Sequence, residues 1–395
     1  MTPIRLIAIA VLCISTLAAC TTLPSTVGKR ELMIVGNDEK QSWDDAGKSV
    51  IGEPGHDSVL IVDIGTDPLA PKILVSLPLD NTIIGPPTNL AITPDESLAL
   101  IANSMNVVVE GNARKMVPDN RLWVIDLTTS PPKLIDTVTV GKQASGMSIN
   151  RAGTLALIAN RADNSISVMR IAGKKVTLID TVPMGDQVAH VQFTPDGKRA
   201  FAVKFAAHKV AVLDIAGEKV TYNKVDVPAG LWPYNLDVTP DGTLALTADN
   251  GNAGAADGSV DTVSVMDIEA TPPRVIDKVV VGDAPEGFAI SPTGKMAVAV
   301  LLNGTNAAKN AFFYHRNAVV VALKIDGKKV TRTNQIEVRG LPEGVVFSRS
   351  GQYVYVGNFI DQDISILRVD GDQLVNTGKS LQLPGHPASM RGPTR

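Results

Sequence analysis

The chain has 395 residues, of which 44% are hydrophobic, 4% aromatic and 19% charged, and its formal net charge is −3 at pH 7. This charge argues against nucleic-acid binding, which requires a basic footprint. Two cysteines are too few for a disulfide framework or a cysteine-based zinc site. The length corresponds to two or three average domains, although all-β folds often form one larger domain.

The first twenty residues have the features of a bacterial export signal. Arg5 precedes an apolar run over residues 6–14 that is too short to span a membrane. The segment Leu17-Ala18-Ala19-Cys20 resembles a lipobox, which implies cleavage before Cys20 and lipidation of its thiol. An ordinary signal peptide with a chance cysteine is the alternative.

We therefore predict a signal peptide over residues 1–19, a lipidated tether over 20–30 and an exported protein anchored to a membrane. Thr21 follows the cysteine where an inner-membrane retention signal usually has Asp. By this resemblance the protein lies at the periplasmic face of the outer membrane in a Gram-negative organism, and otherwise at the cell surface.

Internal repeats dominate the rest of the chain. Six segments read as strand, tight turn and strand, and they begin at Leu90, Met147, Val191, Leu236, Phe288 and Val345. The Pro195-Asp196-Gly197 turn is typical, because proline presets φ, aspartate bonds its own backbone and glycine accepts a left-handed conformation.

Two further strands follow each of these hairpins, and the fourth strand ends near a glycine in every repeat. Successive glycines are 44 to 58 residues apart, at 141, 185, 230, 282, 340 and 385. Four strands in about 45 residues match the strand number and length of one propeller blade.

The two ends of the chain complete one more blade. Residues 31–36 match a second strand and 59–64 a third, whereas 385–390 match the first-strand sequence at 340–345. The sequence therefore predicts an all-β, seven-bladed propeller over residues 31–395, with blade 1 closed by the C-terminal strand so that the ring has no free edge.

The amino-acid sequence of the repeats resembles that of the YVTN family of seven-bladed propellers, which is related to the lactonase-like propellers. The matching residues are Tyr353-Val354-Tyr355-Val356-Gly357-Asn358 and the continuation from Asp361 to Leu367. The resemblance covers residues 31–392. It is specific for fold and weak for function, since such folds support many unrelated activities.

All long insertions fall on one side of the predicted propeller, which we call the insertion face; the opposite side, with short hairpin turns, is the hairpin face. The insertions are residues 38–57, 104–120, 250–261 and 302–317. All five histidines are assigned to loops of the insertion face: His56, His190, His208, His315 and His386. Loops on a rigid scaffold are the usual place for function.

The start of each innermost strand lines the mouth of the central channel. Glu286 and Glu343 occupy this position in adjacent blades, and His386 lies one blade further round. Two carboxylates and an imidazole can hold a divalent cation or act as acid and base. A hydrated polar funnel with no site is the alternative, and no cofactor is certain.

Two further groups of residues are candidates for ligand binding on the same face. Lys204, His208 and His190 form a predicted cationic cluster for a carboxylate or phosphate. The aromatic candidates are Trp43, Trp232, Tyr234, Phe312, Phe313 and Tyr314. These rings are suited to stacking or apolar anchoring, although packing within their own loops is the alternative.

Our leading interpretation is a monomeric, non-catalytic, membrane-anchored propeller that binds a small molecule or an envelope protein through its insertion face. The rival is a lactonase-like hydrolase, for which the resemblance implies His190, Glu286, Glu343 and His386 as acid/base residues. A purely structural role in envelope assembly is a third class. The sequence has no Walker loop, HExxH or GxSxG motif.

Overall fold

The computed structural model describes residues 28–395 and shows an all-β, seven-bladed propeller of four-stranded antiparallel sheets. The signal peptide, Cys20 and most of the predicted tether lie outside the described residues. Within residues 28–395, no helix has the length and apolar character needed to cross a bilayer.

The strands of the first half of the chain, in order, are β1 (Leu32–Asn37), β2 (Gln41–Trp43), β3 (Ser49–Ile51), β4 (Ser58–Asp63), β5 (Lys72–Leu77), β6 (Leu90–Ile92), β7 (Leu98–Ala102), β8 (Met105–Glu110), β9 (Ala113–Pro118), β10 (Arg121–Asp126), β11 (Lys133–Thr139), β12 (Ala144–Ile149), β13 (Leu155–Asn160), β14 (Ser165–Ala172), β15 (Lys175–Pro183) and β16 (Val188–Phe193).

Those of the second half are β17 (Arg199–Lys204), β18 (Lys209–Ala216), β19 (Lys219–Pro228), β20 (Pro233–Val238), β21 (Leu244–Asp249), β22 (Asp261–Asp267), β23 (Arg274–Gly282), β24 (Pro285–Ile290), β25 (Met296–Leu301), β26 (Ala318–Asp326), β27 (Lys329–Val338), β28 (Pro342–Phe347), β29 (Tyr353–Asn358), β30 (Asp363–Asp370), β31 (Gln373–Gln382) and β32 (Pro387–Arg391).

Blade 1 is the sheet β32-β1-β4-β5, blade 2 is β6-β7-β10-β11, and blades 3 to 7 each take four consecutive strands from β12 onward. The pairs β2-β3 and β8-β9 are separate hairpins inside the insertions of blades 1 and 2. No strand lies within the insertions of blades 5 and 6, although both are fully described.

Burial falls from the channel outward in every blade. The second strands, such as β13 and β21, are buried at all six positions because both faces of each blade pack against a neighbouring blade. The outermost strands, such as β23, are largely exposed. Seven hydrophobic clusters each combine residues of two adjacent blades, so the core consists of seven interblade layers.

The C-terminal strand closes the ring, as the sequence predicts. β32 pairs antiparallel with β1 in the register Ile34↔Arg391, Val35↔Met390 and Gly36↔Ser389. Met390 is buried in the layer between blades 7 and 1 together with Tyr355. The first and last described strands therefore share one sheet.

The turns of the hairpin face follow the predicted chemistry. Thr194 donates its hydroxyl to Asp196 at 2.6 Å, Asp196 accepts the Lys198 amide at 3.0 Å, and Gly197 has a φ of +67°. In blade 2 the glycine position holds Glu96, which also takes a positive φ, of 55°. Its carboxylate accepts the amide of Leu32, so this turn is tied to blade 1.

Removal of the Met390 side chain should weaken the closure of the ring. We expect Met390→Ala to lower the free energy of unfolding by about 2–4 kcal/mol, because it leaves a cavity between blades 7 and 1. Urea denaturation followed by tryptophan fluorescence measures the loss. Met116→Ala, in the half-buried β8-β9 hairpin, is the matched control and should cost less than about 1 kcal/mol. Equal losses in the two variants would contradict the importance of the closing strand.

Candidate binding site at the insertion face of the channel

The four insertions contact one another and form a roof over part of the insertion face. Lys309 of blade 6 pairs with Asp45 of blade 1 at 2.6 Å, and its amide donates to the Asp45 carbonyl at 3.0 Å. Arg114 of blade 2 forms an ion pair with Glu53 of blade 1. These contacts join the insertions of blades 6, 1 and 2 in a row.

The blade 5 insertion joins the same roof through an aromatic contact. A methyl group added at Gly258 would lie 2.8 Å from Cβ of Phe313, so the two chain segments are in direct contact. Beneath the roof an apolar cluster covers the channel on the side of blades 1, 5, 6 and 7. Its buried members are Ile83, Ala256, Ala284, Leu302, Leu341, Phe359 and Ala388, and Trp43 and Ile84 pack against them.

A buried ion triad fixes the blade 1 insertion to the segment that follows blade 1. The ammonium of Lys40 contacts the carboxylates of Asp38 and Asp57 and the carbonyl oxygen of Asn81. Asp38 also accepts the amide of Ile83 at 2.8 Å. Burial raises the pKa of Asp57 to about 6, partly offset by the charge of Lys40. Buried charges therefore hold the blade 1 insertion against the segment that follows blade 1.

The structure brings Glu286 and Glu343 together below this roof. Only 4% and 2% of their surfaces are exposed, and the two carboxyl groups are close enough for the charge of Glu286 to raise the pKa of Glu343. Asn250 donates its amide to Oε1 of Glu286 at 3.2 Å, whereas Oε2 of Glu343 is buried without a partner. Burial raises the pKa of Glu286 to about 7. Burial also raises the pKa of Glu343 well above its usual value, with the neighbouring carboxylate as the second cause. Both shifts favour the protonated form of the carboxyl groups.

Arg161 faces this pair and is the main functional candidate that our sequence analysis missed. Its guanidinium lies 5.1 Å from the ring centre of Phe205 and 5.9 Å from that of Tyr234. Its Nε is buried without a hydrogen-bond partner. Within residues 28–395 no Asp or Glu forms an ion pair with it, although the charge of Arg161 lowers the pKa of Glu286.

Tyr234 and two serines complete the polar surface around Arg161. Tyr234 is buried, and burial together with the nearby glutamates raises the pKa of its phenol. The hydroxyls of Ser104 and Ser145 are buried and have no partner within the described chain. A methyl group at Gly85 would lie 2.9 Å from the Ser145 hydroxyl and 3.8 Å from the Arg161 guanidinium, so these groups share one small space.

A second aligned column of the repeats lies just beyond the end of each second strand, one residue after it in six blades and two residues after it in blade 2. These residues are Asp38, Ser104, Arg161, Phe205, Asn250, Leu302 and Phe359. This column is visible in the aligned repeats and is the sequence signal that identifies Arg161. The candidate site is therefore built from two columns, one on the innermost strands and one on the second strands.

His190 lies within strand β16, not in a loop, and is fully buried. Its Nδ1 hydrogen-bonds the hydroxyl of Thr88 at 2.9 Å, and its Nε2 has no partner among the described residues. Burial, together with the charge of Arg391, lowers the pKa of this imidazole well below its usual range. His190 is therefore neutral and lies deeper in the channel than the glutamates.

His386 lies at the insertion-face end of the channel and contacts neither Glu286 nor Glu343 through a hydrogen bond. Its Nδ1 bonds the Phe359 carbonyl at 2.7 Å, its Nε2 bonds Gln362 at 2.9 Å, and its ring packs on that of Phe359 at 4.9 Å. Glu39 is its nearest carboxylate, at 3.7 Å. Across residues 28–395, no three His, Cys, Asp or Glu side chains are placed to hold a metal ion, so the predicted set of Glu286, Glu343 and His386 is not assembled as a cation site.

The predicted cationic cluster does not form either. Lys204 donates to Tyr222 at 2.8 Å and to Asp226 at 3.0 Å, both on β19. His208 accepts the backbone amide of Trp232 at 2.9 Å and packs edge-on against its ring. Lys204 and His208 are thus engaged in blade 4 and at its junction with blade 5, whereas His190 lies in the channel.

The aromatic candidates fall into three environments. Trp43 packs edge-on against Phe359 in the roof, and Phe313 and Tyr314 are half-buried within the blade 6 insertion. Phe312 is 93% exposed. Trp232 and Tyr234 both pack on Phe205, at 4.9 and 5.1 Å, and form the wall beside Arg161.

The chain matches no protein-family model and no curated protein sequence. Among solved structures it is similar to the periplasmic gluconolactonase of Pseudomonas aeruginosa, with 18% identity, a TM-score of 0.66 and coverage of 93% of this chain and 99% of that one. A candidate 6-phosphogluconolactonase from Bacteroides uniformis has 16% identity and a TM-score of 0.67, over 92% and 99% of the two chains.

A Kuenenia stuttgartiensis hydrazine synthase structure shares the fold as well, with 18% identity, a TM-score of 0.58 and coverage of 79% of this chain and 90% of that one. Identities this low establish the fold alone. The comparisons support a seven-bladed propeller whose structural neighbours include gluconolactonase-like proteins.

The protonated glutamate pair should make stability depend on pH. Glu286 loses its proton near pH 4.5 in the unfolded chain and near pH 7 in the folded chain, and folding raises the pKa of Glu343 as well. The free energy of unfolding therefore falls as pH rises across this window. We expect Glu343→Gln to match wild type at pH 5 and to exceed it by roughly 2 kcal/mol at pH 8. Urea denaturation at the two pH values measures the difference.

Glu337→Gln is the control, since Glu337 is exposed on β27 and its loss should leave the pH dependence unchanged. A Glu343→Gln variant that runs parallel to wild type from pH 5 to pH 8 would show that Glu343 is ionised in the folded protein.

Proposed function

We propose that this propeller is a non-catalytic binding protein that takes a small carboxylate-bearing ligand at the insertion-face end of its channel, with Arg161 as the anion-binding residue. The observation that carries the proposal is the Arg161 guanidinium, which lies among buried polar groups without an ion-pair partner in the described chain.

The chemistry around Arg161 fits an anion that brings hydroxyl groups. A guanidinium presents a planar fork of donors that matches a carboxylate in bidentate geometry. The raised pKa values of Glu286 and Glu343 favour their neutral forms, which repel an incoming anion less than two carboxylates would. The unpartnered hydroxyls of Ser104 and Ser145 supply further donors and acceptors for a hydroxylated ligand.

Access to Arg161 is favoured from the side of blades 3 and 4. The roof consists of insertions from blades 1, 2, 5 and 6, whereas the loops after β13 and β17 have only four residues each, 161–164 and 205–208. Phe205, Tyr234 and Trp232 form an aromatic wall on this side. Such a wall suits the carbon face of a sugar acid.

Hydrolysis of a lactone is the second candidate function, favoured by the pKa of Glu286 near 7. In that reaction Glu286 removes a proton from water while the water oxygen attacks the lactone carbonyl carbon. Arg161 stabilises the charge on the carbonyl oxygen, the ring C–O bond breaks, and the proton returns from Glu286 to the leaving alkoxide. The product is a hydroxy acid whose carboxylate lies at Arg161.

Membrane anchoring through Cys20 and location outside the cytoplasm form part of the proposal and rest on the sequence of residues 1–20. An envelope protein as a partner also stays a prediction. The exposed apolar side chains of Phe312, Val260 and Leu231, which lie on the insertion face, are those that would serve such a contact.

Arg161→Gln tests the binding function. We expect gluconate to bind the wild-type protein in isothermal titration calorimetry and the variant to lose at least about tenfold in affinity, because a charge-assisted bidentate contact is removed. Arg170→Gln, on an exposed part of the same blade, is the matched control and should bind as wild type does. Equal affinity in the two variants would reject Arg161 as the anion-binding residue.

Glu286→Gln separates the two candidate functions. A binding protein should leave gluconolactone hydrolysis at the uncatalysed rate, and Glu286→Gln should change gluconate affinity by less than about threefold. Turnover by the wild-type protein that Glu286→Gln abolishes, with the fold retained by circular dichroism, would establish the hydrolase instead.

A further inference from the structure

A second polar cavity lies at the opposite end of the channel, on the hairpin face. Its volume is about 180 Å³, and residues of the innermost strands and the C-terminal segment 391–395 line it. The parallel bridge between Ile92 and Pro393, and the Thr394 amide that donates to the Ile92 carbonyl at 2.9 Å, hold this segment across the blade 2 side.

One position of the innermost strand in each blade forms a ring around this cavity, three residues after the position that Glu286 and Glu343 occupy in their blades. The seven members are Ala91, Ser148, Gln192, Asp237, Ala289, Val346 and Arg391. Four of them are small or apolar. The other three members are a cation, Arg391, a carboxylate, Asp237, and an amide, Gln192.

Arg391 reaches across the channel from blade 1. Its Nη2 lies 3.4 Å from Oε1 of Gln192, which belongs to blade 4, nearly opposite in a ring of seven. Within residues 28–395 no carboxylate forms an ion pair with Arg391. Burial lowers the pKa of its guanidinium, and the charge of Asp237 only partly offsets this effect. Arg391 is thus a half-buried cation at the cavity, and one hydrogen bond to Gln192 is the contact that its guanidinium makes within residues 28–395.

The other charged groups at this end are already engaged. Asp237 accepts the backbone amides of Val238 and Ile290, both at 2.9 Å. Arg151 donates to the Pro240 carbonyl at 3.3 Å, and Arg395 lies 3.6 Å from Glu31. None of these contacts is an ion pair with Arg391.

We propose that this cavity is a binding site for a compact oxyanion, a phosphate or a small carboxylate, and that Arg391 and Gln192 are its principal ligands. The anion accepts two N–H bonds from the Arg391 fork and one from the Gln192 amide, which rotates to donate. Arg151 and Arg395 at the rim favour the entry of negative charge. The site lies at the other end of the channel from Arg161 and does not depend on the proposed function.

Calorimetric titration with inorganic phosphate and with malonate tests the proposal. We expect at least one of them to bind the wild-type protein with a dissociation constant below about 10 mM. Gln192→Glu should abolish this binding, because the new carboxylate occupies the position of the anion and pairs with Arg391. This variant retains the size of the side chain and leaves the closing strand β32 intact.

Two further variants separate this site from the insertion-face site. Arg391→Gln should weaken the binding of phosphate or malonate by at least about tenfold, whereas Arg161→Gln should leave it unchanged. Absence of binding by both anions to the wild type would overturn the proposal, as would full binding by a folded Gln192→Glu or Arg391→Gln variant. Loss of binding in Arg161→Gln alone would assign the anion to the insertion face and overturn it too.

Discussion

Burial of both faces of every blade is the constraint on which the rest of this structure depends. A single four-stranded sheet of this sequence is apolar on both sides over its inner three strands, and each hydrophobic layer draws its residues from two neighbouring blades. No blade can satisfy this requirement alone, so the sheets must form a closed ring. Between blades 7 and 1 the strand β32 completes the ring, because it pairs with β1 and packs Met390 against blade 7.

The channel is the space that this packing leaves on the axis, and the polar groups that line it differ from those elsewhere in the fold. At the ends of the second strands the asparagines are bonded within their own blade; Asn160, for example, donates to Ser165 and Ser167 at 3.1 and 3.0 Å. Arg161 is the next residue, and its buried Nε has no such partner. The same strand ends also leave the Oδ1 atoms of Asn37, Asn103 and Asn358 buried without a partner in the described chain. Unsatisfied polar atoms therefore gather at the ends of the second strands, and Arg161 adds a positive charge to them.

The repeats predict what is periodic and fail where the chain is not periodic. The blade count, the closing strand and the adjacency of Glu286 and Glu343 follow from aligned columns, because equivalent positions take equivalent places in the ring. The roof does not follow, since the contact of Lys309 with Asp45 joins two insertions that have no counterpart in other blades. The same reason applies to Lys204, whose partners Tyr222 and Asp226 come from β19, outside the aligned hairpins.

The electrostatics of the axis connect the two ends of the channel. Arg161 lies near one end and Arg391 near the other, and His190 lies between them with its imidazole kept neutral by burial and by the charge of Arg391. A protonated His190 would place a third cation on the axis in a region of low dielectric, where repulsion is weakly screened. Neutral His190 instead shares one hydrogen bond with the hydroxyl of Thr88. Each of the two proposed anion sites therefore has its own arginine, so that the proposed ligands do not compete for one charge.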